Sequence, residues 1–221
     1  VLLAGIDDAG RGAVLGPLVI AGVLLDEENL PRLTALGVKD SKLLSPHRRE
    51  YLDQEIRKIA LKYHVVKFSP AEIDEVVNFG RKLHKLNWLE ACGMADVILD
   101  LKPDIAFVDA SDVVAERFKE HILERIPFSV KIVSEHKADR NYPIVSAASI
   151  IAKVKRDAAI SELRKEYGDL GSGYVSDEKT MNFLGILMKQ HGSYPDFVRK
   201  SWKPAKRLMK NAKFTQPISG I

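Results

Sequence analysis

Short apolar runs are spaced along the first two-thirds of the chain, and each ends at a charged or glycine-containing turn. They are rich in β-branched residues and cover residues 1–6, 17–25, 64–69, 103–110 and 128–134. A brief apolar run closed by turn signals is typical of a buried strand. We therefore predict strands in these five places, with the second following the first almost at once.

Helical patterns lie between these runs and continue after them. Ser45-Pro46 and Ser69-Pro70 predict helix starts, because serine caps a helix and proline suits its first turn. The first of these helices should run to about Tyr63. Apolar residues spaced by three and four predict long packed helices over residues 78–101 and 142–167. Further helices are expected near residues 113–125 and beyond residue 176.

The order of these elements predicts an α/β protein, because strands and helices alternate early and helices alone follow. A chain of 221 residues is long enough for one main domain and an appendage. We expect the main domain over residues 1–167, a helical C-terminal appendage over 168–213 and a flexible tail over 214–221.

Composition narrows the class of protein. Apolar residues make up 46% of the chain and charged residues 29%, the balance of a globular protein. No apolar run approaches the roughly 20 residues that span a bilayer, and VLLAGI is too short for a signal-peptide core. The single cysteine, Cys92, cannot form an internal disulfide. We expect a cytoplasmic protein with no membrane association.

Basic residues are concentrated near the C-terminus. Residues 198–213 hold seven Lys or Arg and no acid, whereas acids outnumber bases by three in the rest of the chain. Such a segment on a near-neutral body indicates either a contact with a polyanion or a solvated helix without a partner. Charge alone leaves both interpretations open.

The first candidate site is the segment Gly5-Ile6-Asp7-Asp8-Ala9-Gly10-Arg11-Gly12. Two adjacent carboxylates beside a core are costly unless cations compensate them, and oxygen donors suit Mg²⁺ or Mn²⁺. The glycines also expose backbone N–H groups that a phosphate can approach. The alternative is an ordinary aspartate-rich turn with solvated acids.

Two further acids follow apolar strands or precede a helix. Asp109 ends the run 103–110, and Asp139 lies between a strand and a helix start. Neighbouring strands of an α/β sheet end at the same edge, so Asp109 and Asp7 are candidates for one cluster. Each acid taken singly is typical of a turn or a cap, and only the set indicates a metal site.

Two other interpretations of the glycine-rich segment fail. Gly10, Gly12 and Gly16 resemble a dinucleotide-binding fingerprint, but that fingerprint opens a helix, whereas Pro17 and a β-branched run follow here. The phosphate hairpin of sugar kinases also places Asp and Gly between two strands. Those proteins need two such domains, and 221 residues leave no room for them.

These motifs together resemble ribonuclease HII, particularly its archaeal branch, over nearly the whole chain. The family's GIDEAGRG stands here as residues 5–12, and its DSK as Asp40-Ser41-Lys42. FVDASD, EHKAD, SAASIIAKVKRD, GSGY and the pair Ser201-Trp202 are also similar to family patterns.

The resemblance implies a ribonuclease H-like mixed sheet flanked by helices, and an endonuclease that cuts RNA–DNA hybrids. It also implies nicking 5′ of single ribonucleotides in duplex DNA, as in ribonucleotide excision repair, leaving a 5′-phosphate and a 3′-hydroxyl. The implied metal ligands and catalytic residues for Mg²⁺ or Mn²⁺ are Asp7, Asp8, Asp109 and Asp139. The implied substrate-binding residues are Gly10, Arg11, Gly12, Lys42 and Tyr174, with recognition resting on the 2′-OH.

The sequence departs from the family pattern in two places. Asp8 stands where the family has Glu, a side chain shorter by one bond, or roughly 1.5 Å. The alternative function is therefore a catalytically impaired protein that binds hybrids without cutting them. The loop at residues 171–178 lacks the family's two prolines but keeps Tyr174. We expect a monomer, and the tail AKFTQPISGI lacks the paired aromatics that would support a sliding-clamp contact.

Overall fold

The computed structural model describes residues 1–38, 44–80 and 85–215, and side chains as far as residue 212. The strands in these ranges form one sheet of order β3-β2-β1-β4-β5. They are β1 (Leu2–Ala9), β2 (Leu18–Asp26), β3 (Lys62–Phe68), β4 (Ile105–Asp109) and β5 (Lys131–Glu135). The helices are α1 (Leu30–Ala35), α2 (Pro46–Ile59), α3 (Pro70–Phe79), α4 (Lys85–Leu101), α5 (Ala115–Leu123), α6 (Ala138–Asn141), α7 (Pro143–Tyr167), α8 (Glu178–His191) and α9 (Lys203–Thr215).

The sheet is mixed, as predicted. Strand β1 pairs antiparallel with β2 and parallel with β4, and β4 pairs parallel with β5. Parallel neighbours need a long crossover between them, and helices α1 to α4 lie between β1 and β4 in the sequence. The predicted α/β class with a mixed sheet flanked by helices is confirmed.

Two glycines allow helices to approach the sheet closely. A Cβ at Gly5 would lie 2.2 Å from the Ile144 carbonyl oxygen at the start of α7. A Cβ at Gly22 would lie 2.3 Å from Val97 Cγ1 of α4. Both distances are below any normal contact, so only glycine lets these helices pack as they do.

Most predicted elements are present, and two helix boundaries were predicted wrongly. The helix from Pro46 ends at Ile59 rather than Tyr63, because Ala60 is extended and the Leu61 amide donates to the Leu24 carbonyl over 2.9 Å. Sheet pairing at this point outweighs local helix propensity. The helix predicted over residues 78–101 does not begin at 78, because residues 78 and 79 end α3 and Gly80 is not helical; α4 is described from Lys85 onward.

The chain divides into two compact units. The first comprises residues 1–9, 19–67 and 81–157, and the second comprises residues 10–18, 68–80 and 158–221. The second unit therefore includes two segments from the first half of the sequence. The division expected at residue 167 stays a prediction.

The second unit has its own apolar core. Leu15, Ile160, Leu184 and Val198 are among its buried residues, and Trp202 packs against it from a half-buried position. Of the helices in the described ranges, none combines the length and apolar character needed to cross a membrane.

Candidate active site

Strands β1 and β4 bring two of the predicted acids together in the first unit. Their register pairs Ile6 with Val108, so the next residues along the two strands are Asp7 and Asp109. Asp7 is 4% exposed, whereas Asp109 is half-buried. Parallel pairing thus places both carboxylates at the same edge of the sheet, as expected from the positions of these acids at strand ends.

Asp7 shares a sheet face with Gly5, because side chains alternate along a strand. Gly5 is the point at which α7 approaches β1, and the Ser149 hydroxyl of α7 donates to Asp7. Lys153, one turn further along α7, donates to the Ser149 hydroxyl. The close helix–strand contact therefore places a hydroxyl and an ammonium group beside this carboxylate.

The electrostatic environment of Asp7 opposes its ionisation. Burial, followed by the negative charges of Asp8 and Asp109, raises the pKa of Asp7 well above its ordinary value. Lys153 and the Ser149 hydroxyl offset part of that rise. A buried carboxylate with two like charges nearby is stabilised by an added cation.

Asp8 completes a group of three neighbouring carboxylates. Its backbone amide donates to Asp7 Oδ1 over 2.7 Å, and the Ser111 hydroxyl lies 3.5 Å from Asp8 Oδ1. Asp8 is half-buried, whereas Asp7 is buried. Asp8 is thus the more accessible of the two adjacent acids.

The loop after β5 carries the fourth predicted acid to the same region. The Ala138 amide donates to Asp109 Oδ1 over 2.8 Å, and Asp139 is the next residue, 2% exposed. The short helix α6 that holds both residues was not predicted. It begins after Lys137, whose φ of 59° is left-handed and turns the chain sharply.

The donor set fits a hard divalent cation in its chemistry. All four predicted ligands offer carboxylate oxygens, which Mg²⁺ and Mn²⁺ prefer. Across residues 1–38, 44–80 and 85–215, no three or more Asp, Glu, His or Cys side chains are arranged so that they could hold a metal ion together. Mg²⁺ usually keeps several waters and is bound through one or two carboxylates.

The second unit contains the glycine-rich turn and Tyr174. Gly10 has a φ of 85°, which favours glycine, and a Cβ added at Gly12 would meet nothing within 4 Å. Ala13 forms an isolated antiparallel bridge with Tyr174, and the amides of Val14 and Leu15 donate to the Gly173 carbonyl. The turn and the tyrosine are therefore joined by backbone pairing.

One predicted site residue is not among the described residues, and two serines that the sequence did not single out contact the acids. Lys42, with the rest of the segment Asp40-Ser41-Lys42, lies outside the described residues. Ser149 and Ser111 were not singled out from the sequence. The spacing of four between Ser149 and Lys153 on one helix face is the signal that could have pointed to the pair.

The family model for ribonuclease HII matches residues 4–205. This match covers more than half of the chain and includes all four acids. The chain belongs to the ribonuclease HII family.

Relatives within the ribonuclease HII family are similar to this chain along nearly their full lengths. Ribonuclease HII of Pyrococcus furiosus is 46% identical over 211 residues, which cover 96% of this chain and 92% of the relative. The crystal structure of ribonuclease H2 from Pyrococcus horikoshii has a TM-score of 0.89 and 42% identity, covering 96% and 99% of the two chains. A structure of a PCNA–RNase HII complex from Archaeoglobus fulgidus has a TM-score of 0.83 and 46% identity, covering 92% and 96%.

Membership of the ribonuclease HII family establishes the class of reaction. The protein is a metal-dependent ribonuclease H, an endonuclease of the hydrolase class that acts on RNA–DNA hybrids. The expected ribonuclease H-like fold is also confirmed by the solved structures.

Proposed function

We propose that the protein cuts the RNA strand of RNA–DNA hybrids and also nicks duplex DNA 5′ of single embedded ribonucleotides. Asp7, Asp8, Asp109 and Asp139 hold Mg²⁺ or Mn²⁺ in this proposal, and the products carry a 5′-phosphate and a 3′-hydroxyl. The observation that carries it is the cluster at the ends of β1 and β4, where burial and then the charges of Asp8 and Asp109 raise the pKa of Asp7. A bound cation stabilises the ionised form of such a cluster.

Two acids in the cluster, Asp7 and Asp109, have hydrogen-bond donors that suit this role. Divalent ions held there supply Lewis acidity toward the attacking water and the leaving oxygen. The Ser149 hydroxyl orients Asp7, and the Ala138 amide orients Asp109. Hydrogen bonds of this kind fix ligand direction, and their loss typically costs about 10- to 100-fold in metal affinity or activity.

Recognition of the ribonucleotide is assigned to the second unit. Gly10, Arg11 and Gly12 read the nucleotide through their backbone, and Tyr174 packs on the next sugar. Two observations support this assignment: the open space around Gly12, and the bridge between Ala13 and Tyr174. The 2′-OH is the group that distinguishes RNA from DNA at a single position.

The alternative is a protein that binds hybrids without cutting them. Asp8 favours it, because this side chain is shorter than the family's Glu by roughly 1.5 Å. A displacement of about 1 Å at a reacting centre costs on the order of 100-fold in rate. In the proposed active enzyme, the larger Mn²⁺ ion offsets part of this difference in reach.

A nicking assay on matched duplexes separates these proposals. The substrates are a DNA duplex with one ribonucleotide, the all-DNA duplex of the same sequence and the fully hybrid duplex. Each is incubated with Mg²⁺, with Mn²⁺ and with a chelator. Cleavage 5′ of the single ribonucleotide supports the proposed function. Binding of both RNA-containing duplexes without any cleavage supports the alternative.

The expected partners are nucleic acids, and we propose that the protein works as a monomer. The Archaeoglobus fulgidus relative was solved with PCNA, whereas the tail of this chain lacks paired aromatics. Residues 216–221 lie outside the described residues, so the absence of a clamp contact stays a prediction. Titration of a sliding clamp against the full chain and against a chain ending at residue 215 tests it.

A further inference from the structure

Arg199 is the most voluminous of the fully buried side chains, with 0% of its surface exposed. Removing a guanidinium group from water costs several kcal/mol unless hydrogen bonds compensate it. The groups around the Arg199 guanidinium must therefore supply hydrogen-bond acceptors. Gly16, Arg11 and Trp202, which Arg199 contacts, belong to the second unit with it.

The guanidinium group of Arg199 binds the glycine-rich segment that follows β1, which we call the recognition loop (residues 10–16). Nε donates to the Gly16 carbonyl over 3.1 Å, and Nη1 donates to the Arg11 carbonyl over 2.9 Å. The Arg199 amide donates to the Val14 carbonyl over 2.9 Å. One planar fork therefore holds both ends of the recognition loop, a task for which lysine lacks the geometry.

The recognition loop is held on its other side by the segment that carries Tyr174. Val14 and Leu15 donate to the Gly173 carbonyl over 2.8 and 3.1 Å, and Ala13 bridges to Tyr174. A shift of the loop is consequently transmitted to Tyr174 through backbone hydrogen bonds. The ring of Trp202 supports the guanidinium group at 4.9 Å from its centroid, a cation–π distance.

We propose that Arg199 is a positioning residue that sets the preference for single embedded ribonucleotides over continuous hybrids. The inference rests on the proposed function of the recognition loop and Tyr174. A single ribonucleotide offers one 2′-OH, so the loop must meet it in one place. In a continuous hybrid the next sugar is a ribose, so the fit of Tyr174 on a deoxyribose is already absent and a shift of the loop with Tyr174 costs less.

The test compares kcat and KM for the single-ribonucleotide duplex and for the continuous hybrid in the Arg199→Lys variant. Lysine keeps the charge but cannot donate to both carbonyls at once. We expect kcat/KM on the single ribonucleotide to fall about 10- to 100-fold more than on the hybrid, the cost of a misplacement of about 1 Å. Arg199→Gln, which loses the charge as well, should show at least as large a change in the ratio.

Asp74→Asn provides the matched control for stability. Asp74 accepts hydrogen bonds from the amides of Lys200 and Ser201, next to Arg199 in sequence; within the part of the chain that the structure describes, it does not bond to the recognition loop. This variant should lower Tm without changing the ratio between the two substrates. Trp202→Leu removes the ring below the guanidinium group. As in Arg199→Lys, kcat/KM on the single ribonucleotide should fall several-fold more than kcat/KM on the hybrid.

The outcomes separate the inference from the proposed function. If the wild-type protein cuts hybrids but not the single ribonucleotide, the proposed function fails and the inference falls with it. If the wild-type protein nicks that substrate and Arg199→Lys lowers both activities equally, the inference alone is overturned. Should Arg199→Lys not fold, an unchanged ratio in Trp202→Leu overturns it and a shifted ratio supports it.

Discussion

The backbone amide of Ala138 donates a hydrogen bond to Asp109 Oδ1 over 2.8 Å. This bond joins the end of β4 to the first residue of α6, and Asp139 follows immediately in that helix. The two acids lie thirty positions apart in sequence, yet one hydrogen bond fixes the segments that carry them. The geometry of the candidate metal site depends on contacts of this kind.

Asp109→Asn should reduce cleavage at least about 100-fold, the cost associated with a misplaced reacting group, while Tm changes little. Asparagine keeps an oxygen that accepts from the Ala138 amide, but it loses the charge that a divalent ion requires. Cleavage assays and thermal unfolding measure the two effects. Asp104→Asn, an exposed acid just before β4, is the control and should remain fully active. Full activity of Asp109→Asn would remove Asp109 from the site.

Two substitutions at Asp8 should separate the effect of its charge on activity from the effect of its side-chain length. Asp8→Asn should lose activity at least about 100-fold, on the same scale of misplacement, whereas Asp8→Glu should be at least as active as the wild type. The longer side chain also reduces the advantage of the larger ion, so the ratio of Mn²⁺ to Mg²⁺ rates should fall in Asp8→Glu. Steady-state rates with each ion test this. An active Asp8→Asn variant would contradict a ligand role for this residue.

The metal-free protein should lose stability as pH rises. The pKa of Asp7 is raised in the folded state, so above the ordinary aspartate pKa of about 3.9 the folded protein binds more protons than the unfolded chain. The free energy of unfolding therefore falls as pH increases through the raised pKa. Asp7→Asn should flatten this dependence and raise Tm at neutral pH in chelator, by roughly 2–4 °C for each 1 kcal/mol gained.

Thermal unfolding across pH, with and without Mg²⁺, checks the prediction for Asp7. The ion should raise the Tm of the wild-type protein more than that of Asp7→Asn, because ligand binding to the folded state stabilises it. Asp104→Asn again serves as the control and should follow the wild-type pH profile. A Tm of metal-free wild type that rises with pH across this window would show that the sign is wrong.

Gly12→Ala should impair cleavage without affecting the fold. A Cβ at Gly12 meets nothing within 4 Å, and its φ is not among the positive values, so the protein itself tolerates alanine. We expect an unchanged Tm and a loss of about 10- to 100-fold in kcat/KM if the substrate approaches this backbone closely. Gly185→Ala, at another open glycine, is the matched control. Wild-type kinetics in Gly12→Ala would rule out close approach at this point.

The exposed bases of α9 should contribute to substrate affinity through phosphate contacts. Lys203, Lys206 and Arg207 are exposed, whereas Ala205 on the same helix is buried in the core of the second unit. Replacing the three bases with Gln should weaken binding and reduce the slope of log K against log salt by about one for each lost contact. Replacing Lys58, Lys165 and Lys179, exposed lysines paired with acids, gives a control with the same change in charge. An unchanged slope would show that these three bases are solvated and do not contact phosphates.

Local patterns in the sequence predicted the strands and the long helices of the site, but not the short helix α6 that holds Asp139. The apolar run predicted around Asp109 forms β4, and the two serine–proline pairs begin α2 and α3 as predicted. These predictions succeed because side-chain periodicity and capping act over a few neighbouring residues. The end of α2 was mistaken for the opposite reason, since pairing with β2 is a contact distant in sequence.

The sequence by itself determined which acids end buried strands and which family the chain resembles. Only the tertiary structure decided that Asp7 and Asp109 are neighbours, that Ser149 reaches Asp7 and that Arg199 holds the recognition loop. The physical reason is that strand order and helix approach depend on packing between distant segments, such as the contact of α7 with Gly5. A single sequence shows the residues that make such contacts possible. Which of these residues contact each other depends on how the core packs.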